Sequence, residues 1–333
     1  MTPAALPVGD RRRQTSVVTT NDGEPPTRIL VTNDDGVESA GLHALVGALV
    51  DDGRDVMVVA PASDMSGSGA AIGRIHLDEH IDAEQVELPG LDGVPAYAVD
   101  GPPGLCVLAA RLGGFGHRPE LVVSGINPGC NTGRAVLHSG TVGGALTAAN
   151  FGGRGLAVSI DVASRLVHEP GRGSVTPVVG GEQARIAVVE APDSPSRGQR
   201  AGATAGAGAA PAHWATAAGV AAAAVDWLLE APRGTVLNLN VPDVPATALA
   251  GARAATLAPF GTVRSTVVES AEDGGRLQME LRPVTVDLPP DCDTALVAAG
   301  YVAVSALSGI RVDADVDVDG VLDVLAARVA RSA

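Results

Sequence analysis

The chain has 333 residues, which is enough for one large domain or two smaller ones with a substantial core. Hydrophobic residues make up 46% of the chain but aromatic residues only 2%, so the core must consist mainly of Ala, Val and Leu. A net charge of −15, without a basic patch, excludes a nucleic-acid duplex as partner; small anions remain possible where a cation or a helix N-terminus supplies positive potential.

Residues 1–27 are polar, contain prolines and show no hydrophobic periodicity, which predicts a disordered extension. Three arginines occur at 11–13, but no apolar segment accompanies them, so the pattern is not that of a secretory signal. No apolar run approaches the roughly 20 residues that a membrane span needs. The three cysteines form no Cys-x-x-Cys pair, which argues against a thiolate zinc site or a disulfide framework. We therefore expect a cytoplasmic protein that does not bind a membrane.

From residue 28 to 160, apolar segments alternate with helical patterns. The segments ILVT and VMVVA are apolar throughout, as strands are when a parallel sheet is buried on both faces. The predicted elements are, in order, a strand at 28–32, a helix at 41–51, a strand at 56–60, a helix at 102–112, a strand at 121–124, a helix from about 141 and a strand at 155–160. This alternation predicts an α/β doubly wound, mostly parallel sheet, with ligand sites beyond the carboxyl ends of its strands.

The second half of the chain is less regular. The segment 164–212 ends in RGQRAGATAGAGAAPA, a low-complexity composition typical of a flexible insertion. The elements predicted after it are a helix at 215–230, a strand at 235–242, a β-hairpin arm within 254–288, a strand at 296–307 and a helix near 321–329. We expect one domain over 28–333, interrupted by this insertion and carrying the arm.

Polar loops follow three of the predicted parallel strands. NDDG follows the first strand, SDMSGSG the second, and SGINPGCN begins at the end of the strand at 121–124. The first loop contains adjacent carboxylates, Asp34 and Asp35, whose repulsion and desolvation are unfavourable unless a cation or a network of donors compensates. Carboxylate, hydroxyl and amide oxygens suit Mg²⁺, Mn²⁺ or Ca²⁺ better than zinc. The loops therefore predict a divalent-cation site.

A second pattern predicts a phosphate site beside the cation. The segment HSGTVGG places Ser139, Gly140 and Thr141 at a helix start, where unpaired backbone N–H groups favour a phosphate. Asn131, in the preceding loop, is a further candidate donor to a phosphate oxygen. Phosphoryl transfer needs neutralisation of charge on the phosphate and an aligned nucleophile, and a cation held by aspartates serves both needs.

Structural roles compete with these functional ones. Asp34 and Asp35 are also suited to capping the following helix, and Ser139 and Thr141 to capping the next. His138 lies beside the second pattern, but a lone histidine there is more often structural than a general acid. Catalysis through an aspartyl-phosphate is disfavoured because both aspartates are needed for the metal and the Asp-x-Asp spacing is absent.

Four blocks of the sequence resemble the SurE-type nucleotidases, also called stationary-phase survival proteins. The blocks are ILVTNDDGVESAGL, VVAPASDMSGSG, ELVVSGINPGCNTG and LHSGTVGGA, and they occur in the order found in that family. GTVLNLNVPD and DTALVAAGYVAVSAL resemble later blocks. The resemblance covers roughly residues 28–161 and 214–310, and it implies a Rossmann-like core with a smaller C-terminal β arm.

The resemblance also implies a metal-dependent phosphomonoesterase, or 5′/3′-nucleotidase, that acts on nucleoside monophosphates. Carried over by motif, the ligands of one Mg²⁺ or Mn²⁺ ion are Asp34, Asp35, Ser66 and Asn127, and the two aspartates are the catalytic residues. Ser63 and Ser68 lie in the same loop and are alternatives to Ser66, which the family's RSG-like pattern favours, with Met65 where that pattern has a basic residue. The expected phosphate or substrate contacts are Asn33, Asn131, Ser139, Gly140 and Thr141.

Substrate and assembly remain open at this stage. The resemblance implies a homodimer or homotetramer in which the arm or the C-terminal helix is exchanged between subunits. A phosphatase or exopolyphosphatase for another phosphate substrate is one alternative function. A nucleotide-binding protein without catalysis is another. The preferred base, the 5′ or 3′ position and the physiological metal do not follow from the sequence.

Overall fold

The structure is a computed structural model. It describes, with side chains, residues 28–73, 75, 80–162, 212–259, 287–310 and 321, and the backbone alone at 184–185, 263–269 and 278–283. The predicted extension at 1–27, nearly all of the predicted insertion at 164–212 and all but one residue of the predicted helix at 321–329 lie outside these residues.

The described strands and helices alternate along most of the chain. The strands are β1 (Ile29–Thr32), β2 (Val56–Pro61), β3 (Ala83–Val86), β4 (Ala96–Val99), β5 (Leu121–Pro128), β6 (Arg154–Asp161), β7 (Ala184–Arg185), β8 (Val236–Pro242), β9 (Ala252–Ala254), β10 (Val263–Glu269), β11 (Gln278–Pro283), β12 (Asp287–Leu288) and β13 (Val302–Leu307). The helices are α1 (Ala40–Asp51), α2 (Pro103–Arg111), α3 (Gly140–Asn150), α4 (Trp214–Glu230) and α5 (Asp293–Ala298).

Nine strands form one mixed sheet in the order β3-β4-β2-β1-β5-β6-β8-β13-β9. The six strands from β4 to β8 in this order are parallel, and β3 and β13 each pair antiparallel with their inner neighbours. Outside this sheet, β10 and β11 form an antiparallel pair within the segment where the sequence predicts the arm. The two-residue strands β7 and β12 also pair antiparallel.

Helices cover both faces of the parallel strands. On one face, α1 and α4 contribute to a large cluster of Leu, Val and Ala side chains together with β1, β2, β5, β6 and β8. On the other face, α2 packs against β1, β2 and β5, and α3 packs against β6. Every residue of β1 and β2 is buried, which explains why both read as unbroken apolar segments. No helix among the described residues is long and apolar enough to cross a membrane.

Most predicted elements agree with the structure to within two residues, but one prediction was wrong. The segment 296–307 reads as one long strand, whereas its first part belongs to α5 and only Val302–Leu307 forms a strand. Gly300, with φ of +84°, separates the two elements. Ala, Leu and Val are compatible with either state, so the helix depends on packing in which Leu296 and Val297 are buried.

Candidate active site

Strand order reverses between β1 and β5. The chain passes from β1 outward through β2 to β4, and then returns to the other side of β1 to form β5, β6 and β8. In open α/β sheets, this reversal leaves a crevice at the carboxyl ends of the two central strands. Asn33, Asp34 and Asp35 follow β1 directly, and Asn127 lies near the end of β5. The topology therefore places Asn33, Asp34, Asp35 and Asn127 at the same edge of the sheet.

Asn33 holds the turn that carries the two aspartates. Its amide donates to the carbonyl of Gly36 (3.0 Å) and to the hydroxyl of Ser39 (2.6 Å). Ser39 in turn caps α1 by accepting from the backbone N–H of Leu42. Asn33 is fully buried and its Oδ1 atom has no hydrogen-bond partner. Its donor groups thus serve the protein, and only its oxygen remains for a ligand.

Asp34 is buried and oriented by α3. The hydroxyl of Thr141 donates to Asp34 Oδ1 (2.5 Å), and the backbone N–H of Met65 donates to the carbonyl of Asp34 (2.7 Å). Burial raises the pKa of Asp34 above its ordinary value, and the hydrogen bond from Thr141 partly offsets this rise. Thr141 of α3 thus orients the carboxylate, and the loop after β2 fixes the backbone of Asp34.

Asp35 has an oxygen without any hydrogen-bond donor. Its Oδ2 atom is buried and unpartnered, which is costly for an ionised carboxylate. Burial raises the pKa of Asp35 from 3.8 to about 7, and the charges of Asp34 and Asp64 contribute to the rise. A cation would remove both causes, since it supplies positive charge and fills the missing coordination of the oxygen.

Residues 139–141 approach the aspartates as the sequence predicts. Ser139 caps α3 through its hydroxyl, which accepts from the backbone N–H of Val142 (3.1 Å). Gly140 lies so close to the first two loops that a Cβ atom would be 2.7 Å from both Asp34 Oδ2 and Ser68 Oγ. The hydroxyls of Ser139 and Thr141 are therefore engaged within the protein, and the helix start with its glycine is what faces the carboxylate.

The loop after β2 carries two serines with different environments. Ser66 is exposed, and both its backbone N–H (2.8 Å) and its hydroxyl (2.6 Å) donate to Asp64 Oδ1. The hydroxyl of Ser68 is buried without a partner and lies close to Gly140, as described above. Because Ser66 donates its proton to Asp64, the lone pairs of its hydroxyl oxygen remain available to a cation.

A bulge in β5 changes the direction of the strand before Asn127. In the pairing of β5 with β6, the two residues between Ser124 and Asn127 oppose the single residue between Ala157 and Ser159. The amide of Asn127 donates to the carbonyl of Gly129 (2.5 Å). Because the amide nitrogen is used in this way, the side-chain oxygen of Asn127 is the atom that remains as a ligand.

Asn131 is anchored to β8 by two residues that sequence reasoning missed as site residues. Its backbone N–H donates to Asn240 Oδ1 (2.8 Å), and its carbonyl accepts from Asn238 (2.8 Å) and Asn240 (3.0 Å). Its own amide donates to the hydroxyl of Ser159 (2.8 Å). The signal was the segment LNLN, where asparagine alternates with leucine in a strand that is otherwise apolar.

The donor set fits a hard divalent cation. The two carboxylates of Asp34 and Asp35 lie next to buried oxygens without partners, Asn33 Oδ1 and Ser68 Oγ. Within the part of the chain that the structure describes, no three His, Cys, Asp or Glu side chains form a metal-binding group. Two carboxylates combined with amide and hydroxyl oxygens are a set that Mg²⁺ and Mn²⁺ accept.

The family model described as Survival protein SurE matches residues 29–261. The chain belongs to the SurE family. The 5′/3′-nucleotidase SurE of Edwardsiella ictaluri is 31% identical over 284 residues, which cover 84% of this chain and 89% of that protein. The 5′-nucleotidase SurE of Desulfovibrio desulfuricans is 43% identical over 133 residues, 40% of this chain and 49% of that protein.

The fold of this SurE-family chain is also that of a solved structure. The crystal structure of the SurE protein from Aquifex aeolicus superimposes with a TM-score of 0.61, at 23% identity, over 90% of this chain and 99% of that chain. At this level of identity the comparison concerns the fold, an α/β architecture around a mixed, mostly parallel sheet. The family predicted from the four sequence blocks is thereby confirmed.

Proposed function

We propose that the chain is a metal-dependent phosphomonoesterase that hydrolyses nucleoside monophosphates to nucleoside and phosphate. The observation that carries the proposal is the pair of carboxylates at the sheet reversal: Asp34 is buried beside the start of α3, and Asp35 has a buried oxygen without a partner. The relatives named 5′/3′-nucleotidase and 5′-nucleotidase support the same reaction. The strand order also supports the predicted doubly wound, Rossmann-like core, which places a ligand at this reversal.

The cation that the proposal requires is Mg²⁺ or Mn²⁺. Its proposed ligands are Asp34, Asp35, Ser66 and Asn127. When bound, such an ion neutralises charge on the phosphate and lowers the pKa of a coordinated water. The unpartnered oxygen of Asp35 and the free side-chain oxygen of Asn127 support this set.

The protein itself orients Asp34 and supplies the dipole of helix α3. Thr141 keeps Asp34 in one position, and a backbone hydrogen bond from Thr141 further favours the ionised carboxylate. The N-terminus of α3, which begins at Gly140, favours an anion in front of it, so the phosphate is expected there. Asn131 is a further proposed substrate contact. Its side-chain nitrogen donates to Ser159, so its side-chain oxygen remains available for the substrate. These groups bind and align the phosphate ester without a covalent intermediate on the protein.

We also propose that residues 28–333 form one catalytic unit, which is preceded by an extension at 1–27 and contains an inserted segment at 164–212. This unit is proposed to assemble as a homodimer or homotetramer. The antiparallel pair β10–β11 outside the main sheet supports a role for the arm in assembly. Light scattering coupled to gel filtration measures the assembly. A monomeric mass at every concentration contradicts it.

Phosphate release from a panel of 5′- and 3′-nucleoside monophosphates tests the activity. The panel is run with Mg²⁺, with Mn²⁺ and with EDTA, and it includes p-nitrophenyl phosphate and polyphosphate to detect another phosphate substrate. We expect release that EDTA abolishes and that excess metal restores. Asp35→Asn is the control, because contaminating phosphatases would persist in it. Nucleotide binding without release at any metal would indicate a binding protein and contradict the proposal.

A further inference from the structure

A stripe of buried polar side chains crosses the sheet next to the candidate site. Ser159 of β6 pairs with Asn240 of β8, and Asn238 of β8 pairs with Ser305 of β13, so the four lie on one face. Asn238 and Asn240 are fully buried. The residues between and beside them, such as Leu239, point to the opposite face and join the main apolar core. Polar residues at buried positions need partners, which must come from whatever covers this face.

The cover of this stripe is a loop and not a helix. Asn131 lies over β8, and both of its backbone groups are bonded to side chains of that strand, as described for the site. Cys130 packs beside it against the cluster that includes Ala303 and Tyr301. The N–H and C=O groups of this loop need hydrogen-bond partners when they are buried. The asparagine side chains therefore supply the hydrogen bonds that secondary structure would otherwise provide.

The anchored stretch connects two parts of the candidate site. Asn127 lies four residues before Asn131, and Ser139 and Gly140, at the start of α3, lie after it. A second anchor acts at Gly133, whose backbone N–H donates to the buried carboxylate of Asp293 (2.7 Å). The backbone N–H of Gly129 also donates to the carbonyl of Ile160 (2.9 Å), and the asparagine pair is the attachment that holds Asn131, the residue proposed to contact substrate.

We propose that Asn238 and Asn240 are positioning residues, which set the main chain at Asn131 and so present Asn131 to the substrate. The inference rests on the proposed function of the site, because Asn131 is a substrate contact only if the site binds a phosphate ester. Neither asparagine acts on the metal, since their contacts are to Asn131 and not to Asp34 or Asp35.

Substitution by aspartate separates positioning from packing. Asn240→Asp retains the size of the side chain and the oxygen that accepts from Asn131, but it replaces the donor by an oxygen that repels the Asn131 carbonyl. Asn238→Asp removes the other donor, and Asn238→Ala is a milder variant in case the buried charge prevents folding. The matched control is Leu239→Ala, which lies between the two asparagines and destabilises the same strand from its other face.

We expect KM for the best nucleoside monophosphate to rise about tenfold or more in the asparagine variants, since a misplacement of about 1 Å near the reacting group costs up to about 100-fold. The affinity for Mn²⁺, measured by titration calorimetry, is expected to stay within about threefold of the parent. Leu239→Ala is expected to lower Tm while its KM stays near that of the parent. Equal KM values in all folded variants would overturn the proposal.

A double-mutant cycle and hydrogen exchange complete the test. If the asparagines act through Asn131, adding Asn238→Ala to Asn131→Ala raises KM no further, whereas additive effects contradict the mechanism. Hydrogen exchange over residues 129–134, measured by mass spectrometry, tests the anchoring without depending on enzyme activity. We expect faster exchange there in Asn240→Ala, which removes the oxygen that accepts from the Asn131 N–H, and parent-like exchange in Leu239→Ala. A parent protein that hydrolyses nothing would refute the proposed function, while unchanged exchange in a folded Asn240→Ala variant would refute the anchoring itself.

Discussion

Two buried polar clusters lie at the same edge of the sheet, and they differ in how their hydrogen bonds are satisfied. Around Asp35 and Asn33, side-chain oxygens are buried without any donor. Around Asn131, both backbone groups and the side-chain amide have partners within 3.0 Å. The first cluster leaves a carboxylate oxygen of Asp35 without a donor, whereas the second satisfies the backbone of Asn131 and leaves only a neutral amide oxygen, Asn238 Oδ1, without a partner. This difference separates a binding site from the scaffold that holds it.

The physical cause is the cost of burying charge. Burying a neutral amide costs little free energy when its groups are hydrogen-bonded inside the protein. Burying an ionised carboxylate without donors or a counter-ion costs much more. The raised pKa of Asp35, about 7, reflects that cost in the protein without metal. Substitutions around Asp35 and Asn33 should therefore affect metal binding and turnover. Substitutions around Asn131 should affect the alignment of the substrate.

The largest expected effect is the loss of turnover in Asp34→Asn and Asp35→Asn. We expect phosphate release to fall by about 1,000-fold or more, because each substitution removes a charge that holds the cation. The fold should survive, since the lost carboxylates repel each other. The measurement is release with saturating Mn²⁺, beside a thermal melt of each variant. Near-normal turnover of Asp34→Asn in metal-free buffer would show that the site has been assigned wrongly.

A methyl group at Gly140 should also damage the first cluster. In Gly140→Ala the new Cβ would lie 2.7 Å from Asp34 Oδ2 and from Ser68 Oγ, so the helix start or the carboxylate must shift. We expect kcat/KM to fall by about 100-fold. Gly219→Ala is the matched control, since nothing lies within 4 Å of its Cβ and alanine favours the helix. Equal activity of the two variants would mean that Gly140 does not lie against a working site.

The stability of the metal-free protein should depend on pH through Asp35. Its pKa is about 7 in the folded protein and near 3.8 when unfolded, so the folded state binds more protons between these values. The free energy of unfolding should therefore fall as pH rises from about 4 through about 7. Melts in EDTA from pH 5 to pH 8.5 measure this decline, and Asp35→Asn should flatten it. Saturating Mn²⁺ should remove the decline as well. A wild-type Tm that rises over this range contradicts the assignment of the raised pKa to Asp35.

The smallest effect concerns the two serines of the loop after β2. We expect Ser66→Ala to weaken Mn²⁺ binding about tenfold, because the proposal assigns one ligand to its hydroxyl. Ser68→Ala should change the dissociation constant by less than about threefold. Titration calorimetry on both variants decides between them. The reverse result would assign the ligand to Ser68, whose buried hydroxyl has no hydrogen-bond partner and lies beside Gly140.

Much of the framework could be read from local patterns. The apolar segments of β1 and β2 and the helical periodicity of α1 agree with the structure at their boundaries to within one residue. Other features could not be read in this way. The extension of β5 to Pro128 depends on a bulge, and the edge strand β3 lacks an alternating pattern because it is almost entirely exposed.

The sequence by itself determined the α/β alternation, the adjacent carboxylates and the blocks that identify the family, because periodicity and side-chain chemistry are local properties. Only the tertiary structure decided that Thr141 holds Asp34 and that the asparagines of β8 hold Asn131, contacts between residues more than 100 positions apart. It also decided that Leu296 belongs to a helix. Such contacts form only when distant elements become neighbours in the fold. Their burial then selects one of the conformations that the local sequence allows.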